Sequence, residues 1–219
     1  MPNKKLLIIT GPQGSGNHVY SRVFSLHPDV HGWESLKDNY WIPSDEETFA
    51  EYWVEPEKIT EEFFKDSTYF LANVSCPFFY NGVRQIPKII DLADRVSSFG
   101  IDVVIAIVVR DQNINAVQQK RVGGEVTLPS AMDYYKNNIL NSKHTVHFID
   151  HEALFLWKNQ YVSYLGNLFG FPVVTDESVM KFITEDANHK YVKEIDNHWL
   201  DDTIRAGRRP FNQRNTKGN

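Results

Sequence analysis

The 219-residue sequence has a single cysteine, Cys76, so no disulfide can form within the chain, a pattern that fits a reducing compartment. It has no run of about 18 apolar residues, so no transmembrane helix is expected. The opening "MPNKKLLIITG" has too short an apolar run for a signal peptide and no small-residue cleavage site, so a cytoplasmic, membrane-free protein is expected. Positive charge is also in short supply: 23 Lys and Arg stand against 28 Asp and Glu, a formal net charge of −5. A nucleic-acid partner bound through an overall basic field is therefore not expected. Internal repeats are absent, and the histidines lack the spacing of a metal site, so no metal is expected. What is present is a globular composition, 42% hydrophobic and 13% aromatic. That suits one domain spanning residues 1–219, with a tail from about residue 205.

Apolar runs and amphipathic segments alternate along the chain. Leu6 to Thr10 is a continuous apolar run of the kind buried on both faces of a sheet. A helix bearing Val19, Val23 and Phe24 on one side follows it. The acidic, aromatic stretch 43–67 reads as short helices, with Ser44 and Thr60 as N-caps. Residues 68–75 read as a second strand closed by Pro77, and 85–98 as an amphipathic helix ended by Gly100. "DVVIAIVV" (102–109) is the strongest strand and is expected at the sheet centre, with a helix starting directly after it. A helix over 130–141, a strand over 144–150 and one long helix from Glu152 to Phe169 complete the pattern. Such alternation predicts an α/β fold of three layers, a mostly parallel sheet with helices on both faces. Ligands in such folds bind beyond the carboxyl ends of the strands, where the loops after Thr10 and Val109 both lie.

Two segments at that edge carry chemistry. In "LLIITGPQGSGNHVYSRVF", Gly11, Gly14 and Gly16 let the backbone bend so that successive N–H groups point inward, backed by the positive end of the next helix. The stretch Gly11, Gln13, Gly14, Ser15, Gly16, Asn17 and His18 is thus a candidate anion cradle, the alternative being an ordinary glycine-rich turn. A nucleotide-hydrolysing loop would read G-x-x-x-x-G-K-[ST], whereas Asn17 and His18 follow Gly16 here, poor substitutes for the lysine and the metal-binding hydroxyl. The second segment is "VVRDQNINAVQQKR". Arg110 leaves the strand, and Gln118 lies two turns along the following helix. Arginine at such a point can grip a phosphate through two parallel bonds. The alternative is an ion pair between Arg110 and Asp111.

Taken in order, these segments resemble the sulfotransferase family, which moves a sulfuryl group from 3′-phosphoadenosine 5′-phosphosulfate (PAPS) to a hydroxyl or amine. "IITGPQGSGNHVYSRVFSLHPDV" resembles the 5′-phosphosulfate loop and its exit, and "IAIVVRDQNINAVQQKR" the 3′-phosphate segment. "FIDHEALFLWKNQYVSYLGNLFGFP" resembles the strand and helix that follow. The resemblance covers most of residues 5–172 and implies a P-loop NTPase-like, sulfotransferase-like sheet. It also implies PAPS as donor, the bisphosphate PAP as product, and a small-molecule or carbohydrate acceptor. The loop from Gly14 to His18 would hold the 5′-phosphate and sulfate. Arg110 would hold the 3′-phosphate, with Gln118 where a serine is usual. Glu34, and in reserve His18, His27 and His31, would serve as the catalytic base. Arg208 lies in a weak match to a C-terminal nucleotide loop, and a solvated basic tail competes with that reading.

The chain departs from the family at Gly14, where Lys or Arg is common, and at Val74 and Ser75, where another lysine often stands. Loss of such a charge typically costs about 2.7–4 kcal/mol of barrier. Three outcomes are open: Arg22, Arg84 or Lys88 reaches in, His18 acts as a protonated stand-in, or the chain binds without turnover. A kinase or nucleotide hydrolase is the remaining alternative. Trp33, Tyr40, Trp41, Trp53, Phe63 and Phe64 either line an acceptor pocket or cover the sheet.

Overall fold

The structure, a computed structural model, describes residues 3–39, 42–183 and Asn188. Strand β1 (Lys5–Pro12) leads through the glycine turn into helix α1 (Asn17–Phe24), followed by a two-residue strand β2 (Val30–His31). Short 3-10 turns punctuate the chain between there and β3 (Tyr69–Cys76). A small hairpin, β4 (Phe78–Tyr80) and β5 (Val83–Gln85), precedes α2 (Ile89–Ser97). Then come β6 (Asp102–Val109), α3 (Gln112–Gly123), α4 (Leu128–Tyr134), β7 (Thr145–Asp150), α5 (His151–Trp157) and α6 (Asn159–Phe169).

The main sheet has the order β2-β3-β1-β6-β7, and every pairing is parallel. Leu7 sits between Leu71 and Val104 in the register, so neighbouring strands present matched apolar residues on each face. Leu6, Ile8, Ala72 and Ile105 face a layer built from α2, α4 and the aromatic turns. Leu7, Ile9, Leu71 and Ala106 face α1 and α6. A strand buried on both sides has no polar alternation to show, which is why β1 and β6 read as unbroken apolar runs. The expected three-layer α/β architecture is therefore the one observed.

Several boundaries differ from the sequence expectation for physical reasons. The middle strand is β1, with β6 beside it, because β3 and β6 flank the first strand. Strand β1 continues through Gly11 and Pro12, since β3 runs alongside as far as Cys76. Helix α2 starts at Ile89; Gln85 belongs to β5 and Ile86 is exposed, because Pro87 blocks an earlier start. The helix expected over 130–141 begins at Leu128 and loosens into a π turn at Tyr135–Ile139. The helix expected from Glu152 to Phe169 is broken at Lys158, whose φ is 48. Lys158 would fall on the buried stripe of His151, Leu154, Val162, Leu165 and Phe169, and breaking the helix leaves its ammonium exposed. Ser44 lies inside its turn rather than capping it and bonds the Phe79 carbonyl at 2.5 Å; Thr60 precedes its turn without a side-chain cap bond.

The acidic, aromatic stretch covers the sheet. Phe49, Trp53 and Phe64 are fully buried in the core, and Phe63 packs partly buried against it. Trp33 forms a smaller buried cluster with Leu36 and Ile42. Because β2 pairs only with Tyr69 and Phe70, the rest of that edge of β3 needs another partner. The side chain of Glu47 provides it: one carboxylate oxygen accepts from Asn73 N at 3.1 Å, the other from Phe49 N at 2.8 Å and Trp53 Nε1 at 3.0 Å. Burial pushes this carboxyl up to about 8, against the pull of those three N–H donors.

Candidate functional site

The glycine turn is held open by contacts that only glycine permits. Ser15 N donates to the Pro12 carbonyl at 2.9 Å, closing the bend. Gly14 and Gly16 have φ of +80 and +96, conformations that L side chains avoid. A Cβ on Gly16 would lie 2.3 Å from Nδ1 of His151, so the imidazole packs directly on the glycine backbone. A Cβ on Gly11 would lie 2.2 Å from Ser15 Oγ, and that glycine therefore makes room for the buried serine rather than forming part of the bend.

Four backbone N–H groups, those of Gly14, Gly16, Asn17 and His18, donate to no acceptor among the described residues. They include the first donors of α1, the groups that a helix start leaves for an anion or water. The Asn17 carboxamide turns away from them, donating to Asn73 Oδ1 at 2.8 Å and Ser75 Oγ at 3.2 Å. Gln13 braces the bend: its carbonyl accepts from Gln119 Nε2 at 2.7 Å and its side chain meets Thr127 Oγ1 at 3.2 Å.

Arg110 stands against this turn. Its Nη1 donates to the Gly14 carbonyl at 2.6 Å and to Gln118 Oε1, and its Nε donates to Asn188 Oδ1 at 2.8 Å. The two segments singled out in the sequence are thus one site, as adjacency of β1 and β6 requires. Asp111 does not pair with Arg110. It caps α3, accepting from Asn113 N and Ile114 N at 2.9 Å each.

The candidate bases differ in setting. His18 is half-buried, edge-on to Trp33 with ring centroids 5.4 Å apart. Burial, helped by the nearby Arg22 guanidinium, lowers its pKa to about 4. It is neutral at physiological pH, which corrects the expectation of a protonated stand-in for the missing lysine. Glu34 is exposed, and its carboxylate bonds Lys37 Nζ at 2.6 Å. Two of the reserve cations are committed elsewhere. Arg22 donates to the carbonyls of Leu36, at 2.9 Å, and Asn39, and Arg84 pairs with Glu125 at 2.6 Å. Lys88 lines a shallow surface hollow of about 300 Å³ with Glu57, Asp91 and Arg95. Arg208, with Arg205, Arg209, Lys190, Lys193, Tyr40 and Trp41, lies outside the described residues.

Sequence reasoning missed His151, Glu152, Gln119 and Asn188. His151 follows β7 at the same sheet end as Arg110, and position alone could have marked it. Glu152 Oε1 accepts from Asn188 Nδ2 at 2.6 Å, extending the polar network that starts at Arg110. Nothing local in the sequence signals Asn188. Among the described residues no helix is long and apolar enough to cross a membrane, and no group of three or more His, Cys, Asp or Glu is placed to hold a metal.

No protein-family model matches the chain, and no curated protein matches it in sequence. Solved structures similar in fold include two sulfotransferases. One is the mouse sulfotransferase SULT7A1 complexed with PAP, at 14% identity and a TM-score of 0.42, covering 94% of this chain and 81% of that one. The other is the sulfotransferase domain of the olefin synthase from Synechococcus PCC 7002, at 14% identity and a TM-score of 0.44, covering 95% of this chain and 90% of that one.

Proposed function

We propose that the protein binds a doubly phosphorylated adenosine and transfers a sulfuryl group from PAPS to a hydroxyl or amine of a small-molecule or carbohydrate acceptor. The observation that carries this reading is the contact between Arg110 and the Gly14 carbonyl at 2.6 Å, which joins an open amide turn to a guanidinium at adjoining strand ends. On this reading the amides of Gly14, Gly16, Asn17 and His18 hold the 5′-phosphate and sulfate oxygens, and Arg110 meets the 3′-phosphate. Gly11, Gln13 and Ser15 shape the turn from behind. The acceptor oxygen or nitrogen bonds to sulfur as the bond from sulfur to the 5′-phosphate oxygen breaks. The electron pair stays on that phosphate oxygen, leaving PAP, and the acceptor proton passes to a base.

His18 and Glu34 are the candidate bases. His18 is neutral above about pH 4 and so able to accept a proton. A bound anion beside it would raise its pKa toward the operating range. The test is sulfuryl transfer from radiolabelled PAPS to mixed acceptors, run with thermal shift against PAP and against ATP–Mg²⁺. Transfer and a PAP-specific rise in melting temperature support the reading; absence of both removes it.

A second reading, a nucleotide-binding member without turnover, is favoured by the engagement of Arg22 and Arg84 away from the turn. It predicts the PAP shift without transfer. A kinase is disfavoured by Asn17, which stands where the phosphate-binding lysine would be needed and whose side chain is bonded to Asn73 and Ser75.

A further inference from the structure

Arg110 Nη1 carries two hydrogens, and both have protein acceptors: the Gly14 carbonyl and the Gln118 carboxamide oxygen. The Gln118 side chain also lies flat against the turn. A Cβ on Gly14 would sit 3.1 Å from its Cδ and 3.3 Å from its amide nitrogen and oxygen. The adjacent Gln119 pins that stretch of α3 to the turn, bonding the Gln13 carbonyl at 2.7 Å and Thr127 N at 2.8 Å. The carboxamide is thus held between the arginine and the glycine backbone, where it offers a neutral oxygen to a donor suited to a phosphate oxygen.

We propose that Gln118 is an internal occupant of the arginine side of the site, which an anionic ligand displaces, and that it thereby sets the affinity for a ligand's phosphate at Arg110. This rests, for the identity of the ligand, on the nucleotide reading above. A phosphate gains a charge-assisted bond from Arg110 but must first undo the Gln118 contact. A shorter side chain removes that competition and leaves one Nη1 hydrogen to the ligand.

The test is calorimetric titration of the wild type, Gln118→Ala and Gln118→Ser with adenosine 3′,5′-bisphosphate, adenosine 5′-monophosphate and inorganic phosphate. Both variants are expected to bind the bisphosphate about threefold to tenfold more tightly, the worth of one ordinary hydrogen bond. The 5′-monophosphate, which lacks the group that meets Arg110, is expected to change by less than about twofold. Adding Arg110→Ala to Gln118→Ala should abolish the gain. Weaker bisphosphate binding in Gln118→Ala would make Gln118 a direct ligand and overturn the proposal, leaving the nucleotide reading standing. Equal gains for bisphosphate and 5′-monophosphate would also overturn it. If no nucleotide binds any variant but inorganic phosphate binds Gln118→Ala more tightly, the occupant role stands and the nucleotide reading falls. No change with any ligand overturns the proposal.

Discussion

Replacing Gly16 by alanine tests the architecture of the turn without reference to any ligand. The new Cβ would lie 2.3 Å from Nδ1 and 2.6 Å from Cε1 of His151, far inside van der Waals contact. The position also has φ +96, where an L residue costs about 1–2 kcal/mol. Overpacking against a ring buried at 2% relative exposure adds about 1–3 kcal/mol. The sum, about 2–5 kcal/mol, corresponds to a fall in melting temperature of about 4–20 °C for a chain of this size. Calorimetric melting of Gly16→Ala, His151→Ala and the double variant separates the two contributions. Removing the imidazole relieves the clash but not the backbone strain, so the double variant should be more stable than the sum of the single losses by about 1–3 kcal/mol. Additive losses, or a Gly16→Ala protein that melts with the wild type, would refute the claim that His151 packs on this glycine.

Arg110→Ala is expected to lower affinity for adenosine 3′,5′-bisphosphate by about 12-fold to 160-fold, the worth of one hydrogen bond to a charged group, by calorimetric titration; Arg110→Lys should recover only part, since a lysine cannot present the planar fork. Lys158→Gly should raise stability to chemical denaturation by about 1 kcal/mol, because φ 48 with ψ −124 strains a residue with a Cβ. For Glu47, the raised pKa means that the folded chain binds more protons than the unfolded one between 4.5 and about 8, so stability should fall as pH rises through that window, by up to about 1.4 kcal/mol per pH unit. Denaturant midpoints at several pH values check this, and Glu47→Gln should flatten the slope.

The sheet was legible because β1 and β6 are apolar on both faces, and length and flanking glycines then separate strand from helix. The pairing of the glycine turn with Arg110 was legible for a topological reason: both segments leave the carboxyl ends of strands that a parallel sheet can place side by side. The break at Lys158 was not, since no proline or glycine stands at that point and the cause is the burial of a stripe, which emerges only when α6 docks. The role of Glu47 was hidden likewise. In the sequence it is one acid among many, and only the shortness of β2 exposes the edge of β3 that it satisfies. The contacts of Gln118 and Asn188 with Arg110 depend on side chains brought together by tertiary packing, and no local pattern encodes them.

The absence of a lysine at Gly14 takes on a different meaning with φ at +80. A long cationic side chain there would carry backbone strain and would press on the Gln118 carboxamide, so the position is unfavourable for it. The positive charge at this turn comes instead from β6, through a guanidinium bonded to the turn itself. The acid next to it in the chain, Asp111, has its carboxylate taken up by two backbone N–H groups at the start of α3. Because that helix end carries partial positive charge, the acid is more favourably placed on it than on Arg110. Asp111 is therefore spent on capping α3 rather than on pairing with Arg110. Asp111→Asn, which retains an N-cap acceptor, should leave both the helix and anion affinity nearly unchanged, whereas Asp111→Ala should cost about 1 kcal/mol of stability by denaturant midpoint. A large gain in anion affinity from Asp111→Asn would show that the carboxylate does screen Arg110 after all.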